Sequence, residues 1–189
     1  MERKVLYFEK PGRDNTEDCL RAVQDILKEG HIRDLVIAST TGETGLRFSE
    51  ALKVMGLNIV VVTHSHGFRE PNTIEMPAEV VRKIESNGAK VYTGTMITHS
   101  LETSLSSKFN GLYPTLIVAQ SLRRFGEGAK VCCEMAMMVA DAGLIPEGEE
   151  VLTVAGTGRG ADTVMIVKSA VSKRFLDLRV LEILAKPRS

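Results

Sequence analysis

Residues 34–56, DLVIASTTGETGLRFSEALKVMG, pass from an apolar run through a turn of small residues into a helical pattern. LVIA, from Leu35, carries the aliphatic and β-branched residues of a strand. Phe48, Ala51, Leu52 and Met55 then recur at helical spacing before Gly56. The next run, NIVVVT from Asn58, is continuously apolar, as a strand is when both faces of a parallel sheet are covered. Strand, turn, helix and buried strand in this order make a βαβ unit.

Working outward, VLYF from Val5 reads as a short strand and Pro11-Gly12 as a turn. Leu20, Val23 and Leu27 then form one face of a helix that Asn15 or Thr16 caps and Gly30 ends. Downstream, the loop HSHGFREPNTIEM precedes a helix opening at Pro77, with Val80, Val81 and Ile84 inward and Asn87-Gly88 at its end, followed by the strand KVYT. Between Thr93 and Leu144 no strand stands out, and SLETSLSSKF, YPTLIVAQSLRRF and AKVCCEMAMMVADAG read as helices. VLTVA, DTVMIV and DLRVLEIL near the end are rich in strand formers. The alternation predicts an α/β fold with a mostly parallel, doubly wound sheet in three layers, interrupted by a helical insertion. At 189 residues the chain suits a single domain spanning 1–189.

Charge is balanced, with 24 basic and 24 acidic residues, so nothing in it argues for nucleic acid or an anionic membrane face. No apolar stretch approaches the roughly 20 residues that span a bilayer. MERKVLYFEKPG lacks the apolar core and cleavage site of a signal peptide. The three cysteines, Cys19, Cys132 and Cys133, fit free thiols in a reducing compartment. A cytoplasmic protein is expected on these grounds; the subunit count stays open, a homo-oligomer included.

In doubly wound folds, ligands sit beyond the carboxyl ends of the strands. The first such turn holds Ser39, Thr40, Thr41, Gly42, Glu43, Thr44 and Gly45 and opens a helix, whose first N–H groups lack intrahelical partners and whose dipole favours an anion. Four hydroxyls and two glycines there fit a phosphate, each hydrogen bond to a charged oxygen contributing ~1.5–3 kcal/mol. The plainer reading is one hydroxyl capping the helix. No Gly-Lys-Ser/Thr follows, so the turn is no Walker A loop, and Glu43 sets a negative charge beside the anion.

The second turn is AGTGRGADT from Ala155. Gly156, Gly158 and Ala161 satisfy the loose dinucleotide fingerprint, but a β-branched run follows where a helix is required. Two readings remain: a flexible loop of Gly156, Thr157, Gly158, Arg159, Gly160 and Asp162 closing over an anionic ligand through Arg159, or a plain hairpin turn.

Thr63, His64, Gly67 and Phe68 lie in an unusually long loop after the buried strand, as polar and aromatic pocket walls or as surface. His64 and His66 lack nearby cysteines, so no metal site is expected. Thr93 and Gly94 stand at the next strand end, with Thr98-His99-Ser100 beyond. The methionine-rich run from Met135 to Met138 reads as core, and Arg123-Arg124 with Lys130 as a solvated patch or a phosphate contact. No G-x-S-x-G elbow and no telling grouping of Cys, His and Asp mark a nucleophile.

On LVIASTTGETG followed by NIVVVTHSHGF, and on VLTVAGTGRGADT, the chain resembles the C-terminal α/β domain of pyruvate kinase in its stand-alone form, over nearly its whole length. In pyruvate kinase the comparable first turn holds an effector phosphate and the later glycine-rich loop folds over it. The resemblance therefore implies that residues 39–45 are a phosphate cradle and residues 156–162 its cover. For the stand-alone family it implies flavin mononucleotide (FMN), with phosphate on the first turn and the ring near His64 and Phe68. A TIM-barrel catalytic domain needs about 250 residues, so phosphoenolpyruvate chemistry is not expected of these 189. The expected function is a binding domain for a phosphorylated small molecule, with a sensing or regulatory role or an uncharacterised flavin reaction. The alternative is a small phosphotransferase or hydrolase acting on a phosphate ester, with His64, His66 or His99 as general base.

Overall fold

A computed structural model describes residues 2–188. The strands are β1 (Leu6–Phe8), β2 (Asp34–Ala38), β3 (Asn58–Thr63), β4 (Lys90–Thr93), β5 (Glu150–Ala155), β6 (Thr163–Lys168) and β7 (Arg179–Pro187). They form one seven-stranded sheet in the order β1-β7-β6-β5-β2-β3-β4. Only β6 runs against its neighbours, pairing antiparallel with β5 and β7; every other pair is parallel.

Side chains alternate across a strand, and in β2 both sides find cover. Leu35 and Ile37 pack in the core layer of helices α1 (Thr16–Leu27), α2 (Glu43–Leu52) and α3 (Ala78–Ser86), against Val23, Phe48 and Ile84. Val36, between them in sequence, joins the opposite core with Cys132, Ala136 and Val139 of α6 (Glu127–Asp141). All three β2 residues are fully buried, so their run is continuously apolar where a half-exposed strand would alternate. The doubly wound, three-layer reading holds. Residues 94–149 are the helical insertion, carrying α4 (Leu101–Phe109), α5 (Pro114–Leu122) and α6 across to the second face.

Local signals at helix starts acted differently from expectation. Neither Asn15 nor Thr16 caps α1: Asn15 donates through Nδ2 to the carbonyls of Lys10 and Gly12, and Thr16 donates to that of Arg13 at 2.6 Å. Asn15 ties down the Pro11-Gly12 turn instead, and Thr16 Oγ1 accepts the Ala161 N–H at 3.0 Å. Pro77 is the extended residue before α3 rather than its first helical one. All three cysteines are free and buried; burial pushes their thiols up, that of Cys133 to about 11. No helix among the described residues is long and apolar enough to cross a membrane.

Candidate functional site

Chain order reverses at β2. The chain leaves it for β3 on one side, and β5 pairs with it on the other. The carboxyl ends of β2 and β5 thus diverge into connections that run opposite ways, leaving a crevice between them. A cavity of about 420 Å³ lies there, bordered by the turns after β2, β3 and β5 and by α6.

The turn after β2 is built by its glycines. Gly42 has a φ of 92°, which side chains rarely adopt, and Gly45 lies so close to β3 that a Cβ would sit 2.4 Å from Val61 Cγ1. Neither borders the cavity; they shape the turn so that Ser39, Thr40, Thr41, Glu43 and Thr44 do. Ser39 Oγ accepts the Gly45 N–H at 3.0 Å, so the capping reading accounts for one hydroxyl of the four. Thr63 donates to the Thr40 carbonyl at 2.8 Å, tying this turn to the end of β3. The N–H groups of Glu43 and Thr44, in the first turn of α2, are helix-end donors without intrahelical acceptors. The Glu43 carboxylate is engaged by Arg13, which offsets its charge at the cavity mouth.

Residues 156–162 form the β5–β6 hairpin loop, with Ala155 opposite Thr163 in an antiparallel register. That pairing rules out the strand–turn–helix context of a dinucleotide fingerprint. Gly156 lies so near the far side of the loop that a Cβ would fall 2.4 Å from the Gly160 carbonyl oxygen. Asp162 is no cavity residue. Fully buried, its Oδ2 accepts the Gly12 N–H at 2.8 Å and the Thr157 N–H at 3.0 Å, and its Oδ1 accepts the Thr163 hydroxyl at 2.8 Å. Thr157 and Asp162 therefore clamp the loop against the Pro11-Gly12 turn, while Gly156, Gly158, Arg159 and Gly160 border the cavity.

The loop after β3 supplies an aromatic wall. The His64 and Phe68 rings lie 4.4 Å apart, and Phe68 meets His99 edge-on at 6.0 Å. His64 Nδ1 lies 2.5 Å from Glu75 Oε2, its Nε2 lies 3.3 Å from Thr40 Oγ1, and Arg69 pairs with Glu75 at 2.8 Å. Both His64 ring nitrogens are thus engaged, His66 is exposed, and no group of three His, Cys, Asp or Glu side chains placed to hold a metal ion occurs among the described residues. Gly67 turns this loop, its N–H donating to Thr73, without bordering the cavity. Thr93 and Gly94 also fall outside, because β4 is the edge strand beyond β3; Met96 and His99 reach the cavity from the turn that follows.

The face from α6 went largely unread in the sequence. Glu127, Lys130, Glu134 and Met138, at steps of three and four, border the cavity, with Val131 and Met135 beside them. Lys130 belongs to no solvated patch: it is 1% exposed and paired with buried Glu134. Glu134 also accepts the Thr98 N–H at 2.7 Å and hydroxyl at 2.8 Å. Burial would raise the Glu134 carboxyl, but the Lys130 ammonium and these hydrogen bonds outweigh it and hold it below its ordinary range. Burial, aided by Lys130, pushes the His99 imidazole down, favouring its neutral form. Arg123 pairs with Glu127 at 2.7 Å. The methionines are core as expected, though Met135 and Met138 also reach the cavity.

The cations around this cavity are thus mostly cancelled, Arg69 by Glu75, Arg123 by Glu127 and Lys130 by Glu134. Arg159, exposed on the hairpin loop, makes no ion pair among the described residues. A doubly wound α/β domain with a polar, partly aromatic cavity at its crossover is the class that fold and site define. Residues 17–167 match the pyruvate kinase α/β domain, and the chain belongs to that family. It is similar in structure to a pyruvate kinase from Cryptosporidium parvum, at 17% identity and a TM-score of 0.44, over 82% of this chain and 23% of that one. The chain therefore spans less than a quarter of the length of that kinase. Fainter likenesses are to a hydrogen sulfide-producing enzyme from Fusobacterium nucleatum (21% identity, TM-score 0.33, 53% of this chain and 31% of that one) and to O-ureido-L-serine synthase (15%, 0.33, 69% and 48%).

Proposed function

We propose that the cavity binds a phosphorylated small molecule, FMN being the ligand that the family resemblance implies, in a sensing or regulatory role or for a reaction of that ligand. One observation carries this reading: Arg159, a cation without an ion-pair partner among the described residues, borders the same cavity as the first turn of α2. An anion there gains helix-end N–H donors, the Thr41 and Thr44 hydroxyls and a positive charge together. The aromatic wall of Phe68 and the flanking histidines suits a planar ring, and about 420 Å³ falls in the usual range for small-molecule sites.

Thr44 gives the test. It is 6% exposed, and aspartate is close to threonine in size, so Thr44→Asp puts a carboxylate where the phosphate sits. Loss of a hydrogen bond to a charged oxygen and the added repulsion weaken FMN binding by on the order of 100-fold or more in calorimetric titration, with the circular dichroism spectrum unchanged. Unchanged affinity in a folded variant would remove this turn from the site.

A further inference from the structure

The chain of contacts Glu75–His64–Thr40 has no part in holding a phosphate as just described. Its order is that of orienter, base and nucleophile: Glu75 Oε2 lies 2.5 Å from His64 Nδ1, and His64 Nε2 lies 3.3 Å from Thr40 Oγ1. A carboxylate on Nδ1 holds the ring proton there and leaves the Nε2 lone pair towards the hydroxyl. Each member is itself positioned. Arg69 holds the other oxygen of Glu75 at 2.8 Å, Phe68 lies against the imidazole, and the Thr63 hydroxyl fixes the Thr40 carbonyl. All three side chains border the cavity, and Thr40 stands three residues before Glu43, where α2 begins.

We infer that this site cleaves phosphate monoesters, with Thr40 as nucleophile, His64 as general base and acid, and Glu75 as the positioning residue of His64. The inference rests on the phosphate reading, since Thr40 borders the same cavity as the first turn of α2 and Arg159. In the first step the Thr40 oxygen bonds to phosphorus as the bond from phosphorus to the ester oxygen breaks. His64 Nε2 takes the hydroxyl proton and passes it to the departing alcohol. In the second step His64 takes a proton from water, the water oxygen bonds to phosphorus, and Thr40 leaves with that proton. The net reaction is phosphate ester plus water to alcohol plus inorganic phosphate. Helix-end N–H groups and Arg159 stabilise the phosphoryl oxygens throughout.

The test supplies the full chain with FMN and, separately, para-nitrophenyl phosphate, and follows inorganic phosphate, free riboflavin and the mass of the peptide holding residue 40. Phosphate release is expected, with a phosphorylated Thr40 trapped on acid quenching. Thr40→Val and His64→Gln reduce release by about 100-fold or more, and Thr40→Ser restores most of it. Flavin that binds and is recovered as FMN, with no phosphate from either ester, would overturn the catalytic assignment and leave the binding reading standing. Failure to bind FMN together with failure to release phosphate would remove both. Release that persists in Thr40→Val and His64→Gln would also overturn it.

Discussion

Lys130→Met lowers the stability of the domain by about 3–5 kcal/mol, because it strands a buried carboxylate. Lys130 and Glu134 are 1% and 4% exposed, and Lys130 is the cation that faces Glu134 one helical turn away. Without it, burial dominates and the Glu134 carboxyl rises above its ordinary 4.5. The sign of the pH effect follows. In the wild type the depressed carboxyl contributes stability that is present above 4.5 and lost as the pH falls through its folded value. In the variant the raised carboxyl costs most at neutral pH, and the deficit shrinks as Glu134 takes up a proton. Urea denaturation at pH 7 and pH 5 reads the variant's deficit, and extending the wild-type series below pH 4.5 reads the other. Lys130→Met/Glu134→Gln recovers much of the loss, since the amide oxygen still accepts from Thr98 while the charge is gone. A single variant as stable as wild type at pH 7 would contradict the burial of this pair.

Asp162→Ala comes second in size. It removes the acceptor of the Gly12 and Thr157 N–H groups and of the Thr163 hydroxyl. Unmet buried donors cost ~1–3 kcal/mol each, and partial access of water to the two backbone groups brings the expected total to about 3 kcal/mol. For a domain of this size that corresponds to a melting temperature lower by roughly 6–12 °C. The loss is local in origin: amide exchange at Gly12 and Thr157 speeds up, and FMN affinity falls because the loop carrying Arg159 keeps only its Ala161–Thr16 bond to this segment. Unchanged exchange at both amides would show that Asp162 is not the clamp.

The parts of this fold that the sequence made readable are those settled by neighbours along the chain. LVIA and NIVVVT announce strands covered on both faces because burial on two sides removes the polar alternation. The turns after Ala38 and Ala155 stand out because Gly42 and Gly156 meet local demands of φ and close approach. What escaped reading depends on long-range placement. Asp162 has the composition of a ligand residue, yet it serves Gly12, far away in sequence, and only the pairing of β1, β7 and β6 brings them together. Lys130 looks like a solvated cation until α6 is laid across the sheet; the one local clue was a Lys-Glu pair at i,i+4 inside an otherwise apolar helix. Thr93 and Gly94 were placed by the rule of strand ends, which overreaches at an edge strand: the chain returns to the cavity only at His99. The order Glu75, His64, Thr40 is invisible as a motif, since its members come from the turn after β2 and both ends of the β3–α3 loop.

The central claim is that the crossover cavity holds a phosphorylated ligand by its phosphate. Flavin-stripped protein titrated with FMN and, in parallel, with riboflavin, each followed by flavin fluorescence, tests it most directly. Saturable binding of FMN, with riboflavin at least about 10-fold weaker, is the predicted result, since riboflavin lacks the phosphate for which α2 and Arg159 are the proposed partners. Equal affinity for the two flavins, or no saturable binding of either, would contradict it.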